Sequence, residues 1–300
     1  MKKVEILAPV GSKEALFAAV RCGADAVYLG QKNFSARKNS QNFTEDELCE
    51  AVAYAHRFGV KVHQALNIIV FDDELSELKS CIKSACKAGI DAFIVQDLGV
   101  LSVVKKLAPD IALHASTQMA IHSLEGVKKA EELGFSRVVL ARELSLKEIA
   151  HIRKNTSIEL EVFVHGAHCM CISGQCYMSS VFGANSGNRG RCAQPCRLPF
   201  TADKKGEYAL SLKDLSLIEK LDTLLALGID SVKIEGRMKR PEYVAAAVTS
   251  CKKALANENP DLDSLRAVFS RDGFTSGYFD GEITADMFGF RGYSRSITKR

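Results

Sequence analysis

The sequence lacks the features of a membrane-spanning or secreted protein. No uncharged apolar run reaches the roughly 18 residues that a spanning helix needs. The start of the chain, MKKVEILAPVGSKEA, has only a short apolar stretch before Pro9 and Gly11, so it does not read as a secretory signal. We therefore predict a cytoplasmic protein with no membrane partner. In that reducing compartment, ten cysteines indicate core residues and a metal or redox site rather than a disulfide framework.

Two motifs are also missing. The sequence has no H-E-x-x-H helix, so the set formed by Glu161, His165 and His168 is only a weak signal for a zinc peptidase. The segment 8–11, APVG, follows the first predicted strand without the three spaced glycines of a dinucleotide site.

The formal charge of +4 is too small to indicate a nucleic-acid partner by itself. The 300 residues, 47% of them apolar, suffice for one large globular domain.

What the sequence does contain is a repeated pattern of a short β-branched run, a polar turn and a helical period. The pattern predicts strands at 4–8, 26–29, 61–69, 92–96, 111–114, 137–140, 160–165 and 231–234. It predicts helices that begin near Lys13, Thr44, Asp73, Gly99, Ser123, Ser145, Ser216 and Pro241. Eight such units predict a TIM-barrel-like (β/α)8 domain over 1–256, with an open doubly wound sheet as the alternative.

Two regions depart from this pattern. Residues 166–210 form a long cysteine-rich insertion after the seventh strand, and barrel enzymes place their chemistry at that end of the strands. Residues 257–300 are rich in glycine, phenylalanine and charge without clear periodicity. We expect this tail to wrap the barrel or to be the start of a further C-terminal region. The sequence predicts no oligomeric state.

The cysteines fall into two groups. Five lie on predicted helices among apolar neighbours, as small core residues do, namely Cys22, Cys49, Cys81, Cys86 and Cys251. Four others lie in the glycine-bearing insertion with the spacing C-x6-C, fifteen residues, then C-x3-C, namely Cys169, Cys176, Cys192 and Cys196. Four thiolates bind zinc or a [4Fe–4S] cluster, and the spacing does not choose between them. Cys171 is a fifth, spare thiol.

Polar side chains follow several predicted strands and suggest a pocket. The best catalytic candidates are His114 on the fifth strand, His165 on the seventh and Glu235 after the eighth. Cations from the insertion and from the eighth strand are expected to converge on the same face and to bind phosphate or carboxylate groups. These cations are Arg189, Arg191, Arg197, Lys233 and Arg237. The patch fits RNA or a small dianionic acid.

Four segments carry a resemblance to a known family. These are LAPVGSKEALFAAVRCGADAVYLG at the start, EVFVHGAHCMCISGQCYMSS, NRGRCAQPCR and VKIEGR, in this order. Together they resemble the collagenase-like peptidase family U-32 over about residues 4–279. The chain departs from the family signature at His168, where the family has an aliphatic residue, and at the additional Cys171.

The resemblance implies a function that differs from the family's name. Several members are RNA hydroxylation proteins, others act in oxygen-independent quinone hydroxylation, and such members carry a [4Fe–4S] cluster on four cysteines. Matched by motif position, the ligands here are Cys169, Cys176, Cys192 and Cys196. The motifs are closest to members that hydroxylate a cytidine of ribosomal RNA, followed by those for uridine of transfer RNA.

The family's RNA hydroxylation depends on prephenate, which suggests that acid as a co-substrate. We therefore expect C5-hydroxylation of a pyrimidine in rRNA or tRNA. The alternatives are a metal-dependent collagenase-like peptidase and a non-enzymatic iron–sulfur protein that delivers electrons.

Overall fold

The predicted barrel is present and closed. The computed structural model describes residues 3–37, 40–173, 175–200 and 208–289. Eight parallel strands follow each other around the barrel in chain order, and the last of them pairs with both the seventh and the first. The predicted TIM-barrel-like class is confirmed, and the doubly wound alternative is wrong because an open sheet has no such closing pair.

The strands are short and mostly buried. Those of the barrel are β1 (Glu5–Pro9), β2 (Ala26–Leu29), β3 (Lys61–Leu66), β4 (Ala92–Val95), β5 (Ala112–Ala115), β6 (Arg137–Val139), β7 (Glu159–Gly166) and β9 (Ser231–Ile234). Two further strands, β8 (Asp214–Ser216) and β10 (Phe274–Thr275), extend the sheet from the edge of β7. Parallel strands covered on both faces read as continuous apolar runs, which is why the sequence pattern located them.

The helices pack outside the barrel. They are α1 (Lys13–Arg21), α2 (Glu45–Arg57), α3 (Leu75–Ala88), α4 (Leu98–Leu107), α5 (Leu124–Glu132), α6 (Leu146–Lys154), α7 (Met178–Gly183), α8 (Leu221–Ala226), α9 (Pro241–Leu255), α10 (Leu262–Val268) and α11 (Gly277–Asp280). The capping boxes that begin α2 and α6 are both formed, at Thr44 with Glu47 and at Ser145 with Glu148. None of the helices in the described part of the chain is long and apolar enough to cross a membrane.

One predicted helix start is wrong. Ser216 ends strand β8, which runs antiparallel to β7, and helix α8 begins only at Leu221. A strand of three residues carries too little alternation to be recognised in the sequence.

The expectation that the five cysteines on helices are small core residues fails at one position. Cys81 and Cys251 are buried, whereas Cys49 is exposed on α2.

A network of buried charges lies inside the barrel. Glu161 is fully buried and accepts hydrogen bonds from Lys233 Nζ at 2.9 Å and from Arg137 Nη1 at 3.1 Å. Arg137 also contacts Glu5 and Glu159 at the amino-terminal end of the strands. The network therefore extends from the amino-terminal end of the barrel to Lys233, which lies closer to the carboxyl end.

The described part of the tail packs on the barrel. Leu265 of α10 and Phe279 of α11 are buried in the main core. Arg271 bonds through its backbone and its guanidinium to the buried Asp214 of β8. The expectation of a further C-terminal region lies beyond what the described residues test.

Candidate active site at the carboxyl end of the barrel

A cavity of about 360 Å³ lies at the carboxyl ends of the strands, between the barrel and the cysteine-rich insertion. Its barrel side is lined by Tyr28, Ala65, Ile94 and Phe163 from four different strands. Its other side is lined by the insertion, including all four cysteines of the C-x6-C and C-x3-C pairs. A concave site with apolar walls and a few polar groups is the usual form of a ligand pocket.

Arg189 fixes the insertion to the loop after β3. Its guanidinium bonds both carboxylate oxygens of Glu74 and the carbonyl oxygen of Ile69, and it lies 4.4 Å from the centre of the Phe71 ring. The amide of Ile69 in turn donates to the carbonyl oxygen of Asn188 at 3.2 Å. Arg189 therefore holds the cavity wall in place and does not line the cavity, although the sequence predicted it as a phosphate-binding residue.

Gly190 makes the second close contact of the insertion with the barrel. Its φ of +76° is in the left-handed region, and a Cβ there would lie 2.5 Å from the carbonyl oxygen of Ser35. We expect Gly190→Ala to lower the free energy of unfolding by about 1–3 kcal/mol, as measured by urea denaturation. The matched control is Gly187→Ala, whose Cβ would approach no atom closer than 3.5 Å. Equal stability of the two variants would contradict this role of Gly190.

The four cysteines that line the cavity influence one another. Burial raises the pKa of the Cys196 thiol, Arg197 lowers it, and Cys169, Cys192 and Cys176 raise it. The sulfur of Cys192 accepts the backbone N–H of Gln194 at 3.4 Å and the Ser179 hydroxyl at 3.8 Å. Donors of this kind stabilise a thiolate, which is the form that binds metals.

The spare Cys171 lies beside this group without lining the cavity. Burial raises the pKa of its thiol, and the nearby Cys176 and Cys169 raise it further.

Within the described residues, no group of three or more His, Cys, Asp or Glu side chains is arranged to hold a single metal ion. Four cysteine thiolates are the ligand set of both tetrahedral zinc and [4Fe–4S] clusters.

Cations outnumber acids around the cavity. Arg142, Arg197 and Arg237 line it, and no carboxylate of the described residues lies within salt-bridge distance of any of the three. Their hydrogen bonds go to neutral oxygens, and Nε of Arg142 is buried with no partner in the described part of the chain. Burial lowers the pKa of Arg237 to about 10. Partly or fully buried cations that form no direct salt bridge fit an anionic occupant, such as four thiolates or an acid.

Glu235 lines the cavity in an ion pair. Its carboxylate accepts from Arg37 Nη2 at 2.9 Å. Burial raises the pKa of this carboxyl, but Arg37, Arg142 and Arg237 together lower it to about 2. A carboxylate this acidic is a weak base near neutral pH, so its evident action is to orient Arg37. The sequence predicted Glu235 but missed Arg37, which lies in the long loop after β2.

The two histidines expected to be catalytic lie in different places, and neither lines the cavity. His114 is buried inside the barrel, with its ring 4.8 Å from that of His63, and does not line the cavity. His165 is enclosed by Tyr243 and Phe274 outside the cavity, and neither ring nitrogen has a partner in the described part of the chain. Burial lowers the pKa of His165 to about 3. These positions give His114 and His165 no contact with a cavity occupant, so they do not support the catalytic roles expected from the sequence.

His168 is the histidine that lines the cavity. Both of its ring nitrogens are buried without a partner in the described residues. Burial, Arg142 and Arg197 lower the pKa of His168 to about 3, so the ring is neutral and can donate one N–H.

The remaining predicted cations separate into two sets. Arg197, Lys233 and Arg237 line the cavity, with Lys233 Nζ 4.5 Å from the centre of the Tyr28 ring. Arg191 is exposed beside the cavity wall. Arg237 is only 4% exposed, so it faces a cavity occupant and is not accessible to an extended phosphate backbone.

Comparison with known proteins gives the chain its family. A family model described as peptidase family U32 matches residues 11–288. The chain belongs to peptidase family U32. A solved structure titled as the U32 peptidase Mk0906 has the same fold, with a TM-score of 0.53 and 16% identity over 79% of this chain and 94% of that one.

Two curated relatives of this U32 protein have names that refer to RNA. The tRNA hydroxylation protein P1 of Bacillus subtilis is 37% identical over 96% of this chain and 74% of the relative. The 23S rRNA 5-hydroxycytidine C2501 synthase of Escherichia coli is 42% identical over 87% of this chain. That alignment covers 41% of the synthase, so this U32 chain spans less than half of its length.

Proposed function

We propose that this U32 protein takes part in C5-hydroxylation of a pyrimidine in tRNA or rRNA, with a [4Fe–4S] cluster on Cys169, Cys176, Cys192 and Cys196. The observation that carries the proposal is the cavity, where these four thiols adjoin three arginines that form no salt bridge within the described residues, at the carboxyl end of the barrel. The two RNA-hydroxylation relatives support the reaction class.

The charges around the cavity support the cluster. Four thiolates on an oxidised [4Fe–4S] core carry net negative charge, and Arg197 lies next to Cys196 with no carboxylate bridge among the described residues. The N–H of Gln194 and the hydroxyl of Ser179 already point to the sulfur of Cys192. When bound, the cluster would supply one-electron redox chemistry at the cavity wall.

The protein's own residues would position the substrate. The cavity, of about 360 Å³, is in the size range of small-ligand sites, and its barrel side carries the rings of Tyr28 and Phe163. Lys233 is held between these rings by its bond to Glu161, so its charge stays at the base of the cavity. Arg37, fixed by Glu235, would orient a polar edge of the occupant.

The cations of the same cavity support an acidic co-substrate. Arg142 and Arg237 are the cations best placed to bind a carboxylate, since neither forms a salt bridge with an acid of the described residues. Guanidinium groups bind carboxylates in a bidentate manner. We therefore include a dianionic acid of the prephenate type as the proposed co-substrate.

Mass spectrometry of nucleosides tests the proposal. A strain that lacks the gene should lose one hydroxypyrimidine from its tRNA or its rRNA, and the pool that changes identifies the substrate. Unchanged hydroxypyrimidines in both pools would contradict the proposed function and leave the peptidase or electron-transfer alternative.

A further inference from the structure

The insertion exposes large apolar side chains beside the cavity. On and next to helix α7, Val181 is 80% exposed, Phe182 66% and Tyr177 61%. We call the exposed set the apolar rim, which consists of Ile172, Tyr177, Val181, Phe182, Leu198 and Met238. Single exposed apolar residues are common, but six in one insertion and its neighbouring loop are a concentration typical of binding surfaces.

The rim adjoins the cavity directly. Tyr177 follows Cys176 in the chain, Leu198 follows Arg197, and Met238 itself lines the cavity. A polymer whose reacting unit entered the cavity would therefore cover the rim with its neighbouring units.

The charged side chains of the insertion itself have one sign. Residues 166–200 contain three arginines and no aspartate or glutamate. Arg189 and Arg197 are bound within the protein, whereas Arg191 is exposed and has no side-chain partner in the described part of the chain. A surface of aromatic rings with an accessible arginine, on a segment that itself contains no acid, is complementary to single-stranded nucleic acid. A protein partner would explain the apolar groups but not the lack of acids in this segment.

We propose that Tyr177 and Phe182 stack against unpaired RNA bases that flank the target pyrimidine, while Arg191 contacts the adjacent phosphates. This inference rests on the proposed function and narrows its substrate to unpaired RNA. A cavity of about 360 Å³ admits a base but not a duplex, so the target must leave its stack. The flanking bases then lose a stacking neighbour, which the exposed rings replace. Tyr177 is the residue before α7 and Phe182 lies in its last turn, so the two rings are carried at opposite ends of this helix and would serve two different bases.

Binding measurements with the full chain test this site. The probe is a fluorescent pyrimidine-rich oligoribonucleotide of about 12 nucleotides, used single-stranded or annealed to its complement. We expect Tyr177→Ala and Phe182→Ala each to weaken binding of the single strand about tenfold and to leave duplex binding unchanged. Tyr177→Phe keeps the ring and should bind as the unaltered chain does.

Phe58→Ala is the matched control. Phe58 is 60% exposed, as Tyr177 is, but it ends α2 at the opposite end of the barrel. It should not change RNA affinity. Single-strand affinity that is unchanged in both Tyr177→Ala and Phe182→Ala would overturn the proposal, and so would a loss of self-association in sedimentation without a loss of RNA affinity.

The test separates this inference from the proposed function. If the gene for the unaltered chain and the gene for the Tyr177→Ala, Phe182→Ala variant restore the hydroxypyrimidine of a deletion strain equally, the stacking site is wrong and the function stands. If even the unaltered gene restores nothing, the function is wrong, and the oligonucleotide measurements still decide whether the rim binds unpaired RNA.

Discussion

Cys196→Ala is expected to abolish iron binding. Cys196 is partly buried in the cavity wall, where its thiol is affected by Cys169, Cys176 and Cys192. Its loss would leave one iron of a cubane cluster without a protein ligand, and such clusters are held by four cysteines. After anaerobic reconstitution, we expect about four iron atoms per chain in the unaltered protein and fewer than one in the variant. Iron and sulfide analysis with visible absorption measures this.

Cys171→Ala is the matched control for that experiment. Cys171 is partly buried in the same insertion but does not line the cavity. Its substitution should leave iron content unchanged. Loss of iron in Cys171→Ala would show that the ligand set is wrong, and a colourless unaltered protein with stoichiometric zinc would contradict the cluster itself.

Glu161→Ala should produce the largest loss of stability. The carboxylate is fully buried, and its removal leaves Lys233 and Arg137 without their shared partner inside the barrel. Breaking a buried ion pair from one side costs about 3–5 kcal/mol, because the remaining charge is desolvated and unpaired. Urea denaturation near neutral pH measures the change. Glu132→Ala is the control, since Glu132 forms an exposed pair with Lys129 and should change stability by less than about 1 kcal/mol.

The same carboxylate should make stability depend on pH. Burial by itself raises the pKa of Glu161, but the charges of Lys233 and Arg137 outweigh burial and lower the pKa to about 2. A lowered pKa in the fold means that the stabilisation is complete above the unfolded pKa of about 4.3 and is lost as the pH falls towards 2. Between these two pH values, the free energy of unfolding should fall less in Glu161→Gln than in the unaltered chain. An unchanged slope, or equal stability of Glu161→Ala and Glu132→Ala, would contradict the role of the buried network.

The fold could be read from the sequence because its signals are local. Strand β2 was predicted at its observed bounds, Ala26–Leu29, since a strand buried on both faces is a continuous apolar run. The helix start at Thr44 followed from a capping box. The insertion could be located because it interrupts the pattern after β7.

The site could be predicted only in part, because depth and partners depend on tertiary structure. Because side chains alternate in direction along a strand, the sequence correctly indicated that Lys233 of β9 and Glu235 just after it face the same cavity. Alternation does not show that His114 lies below the cavity or that His165 faces Tyr243 outside it. Arg37 was missed because its partner, Glu235, is 198 residues away in the sequence. The sequence predicted that Arg189 binds phosphate, but in the structure the Arg189 guanidinium is paired with the carboxylate of Glu74.

Complementation of a deletion strain tests the central claim most directly. The gene for the unaltered chain should restore the missing hydroxypyrimidine, as measured by nucleoside mass spectrometry of tRNA and rRNA, whereas the gene for Cys196→Ala should restore none. Restoration by Cys196→Ala at the level of the unaltered chain would contradict the claim that thiol-bound iron–sulfur chemistry in this cavity hydroxylates RNA.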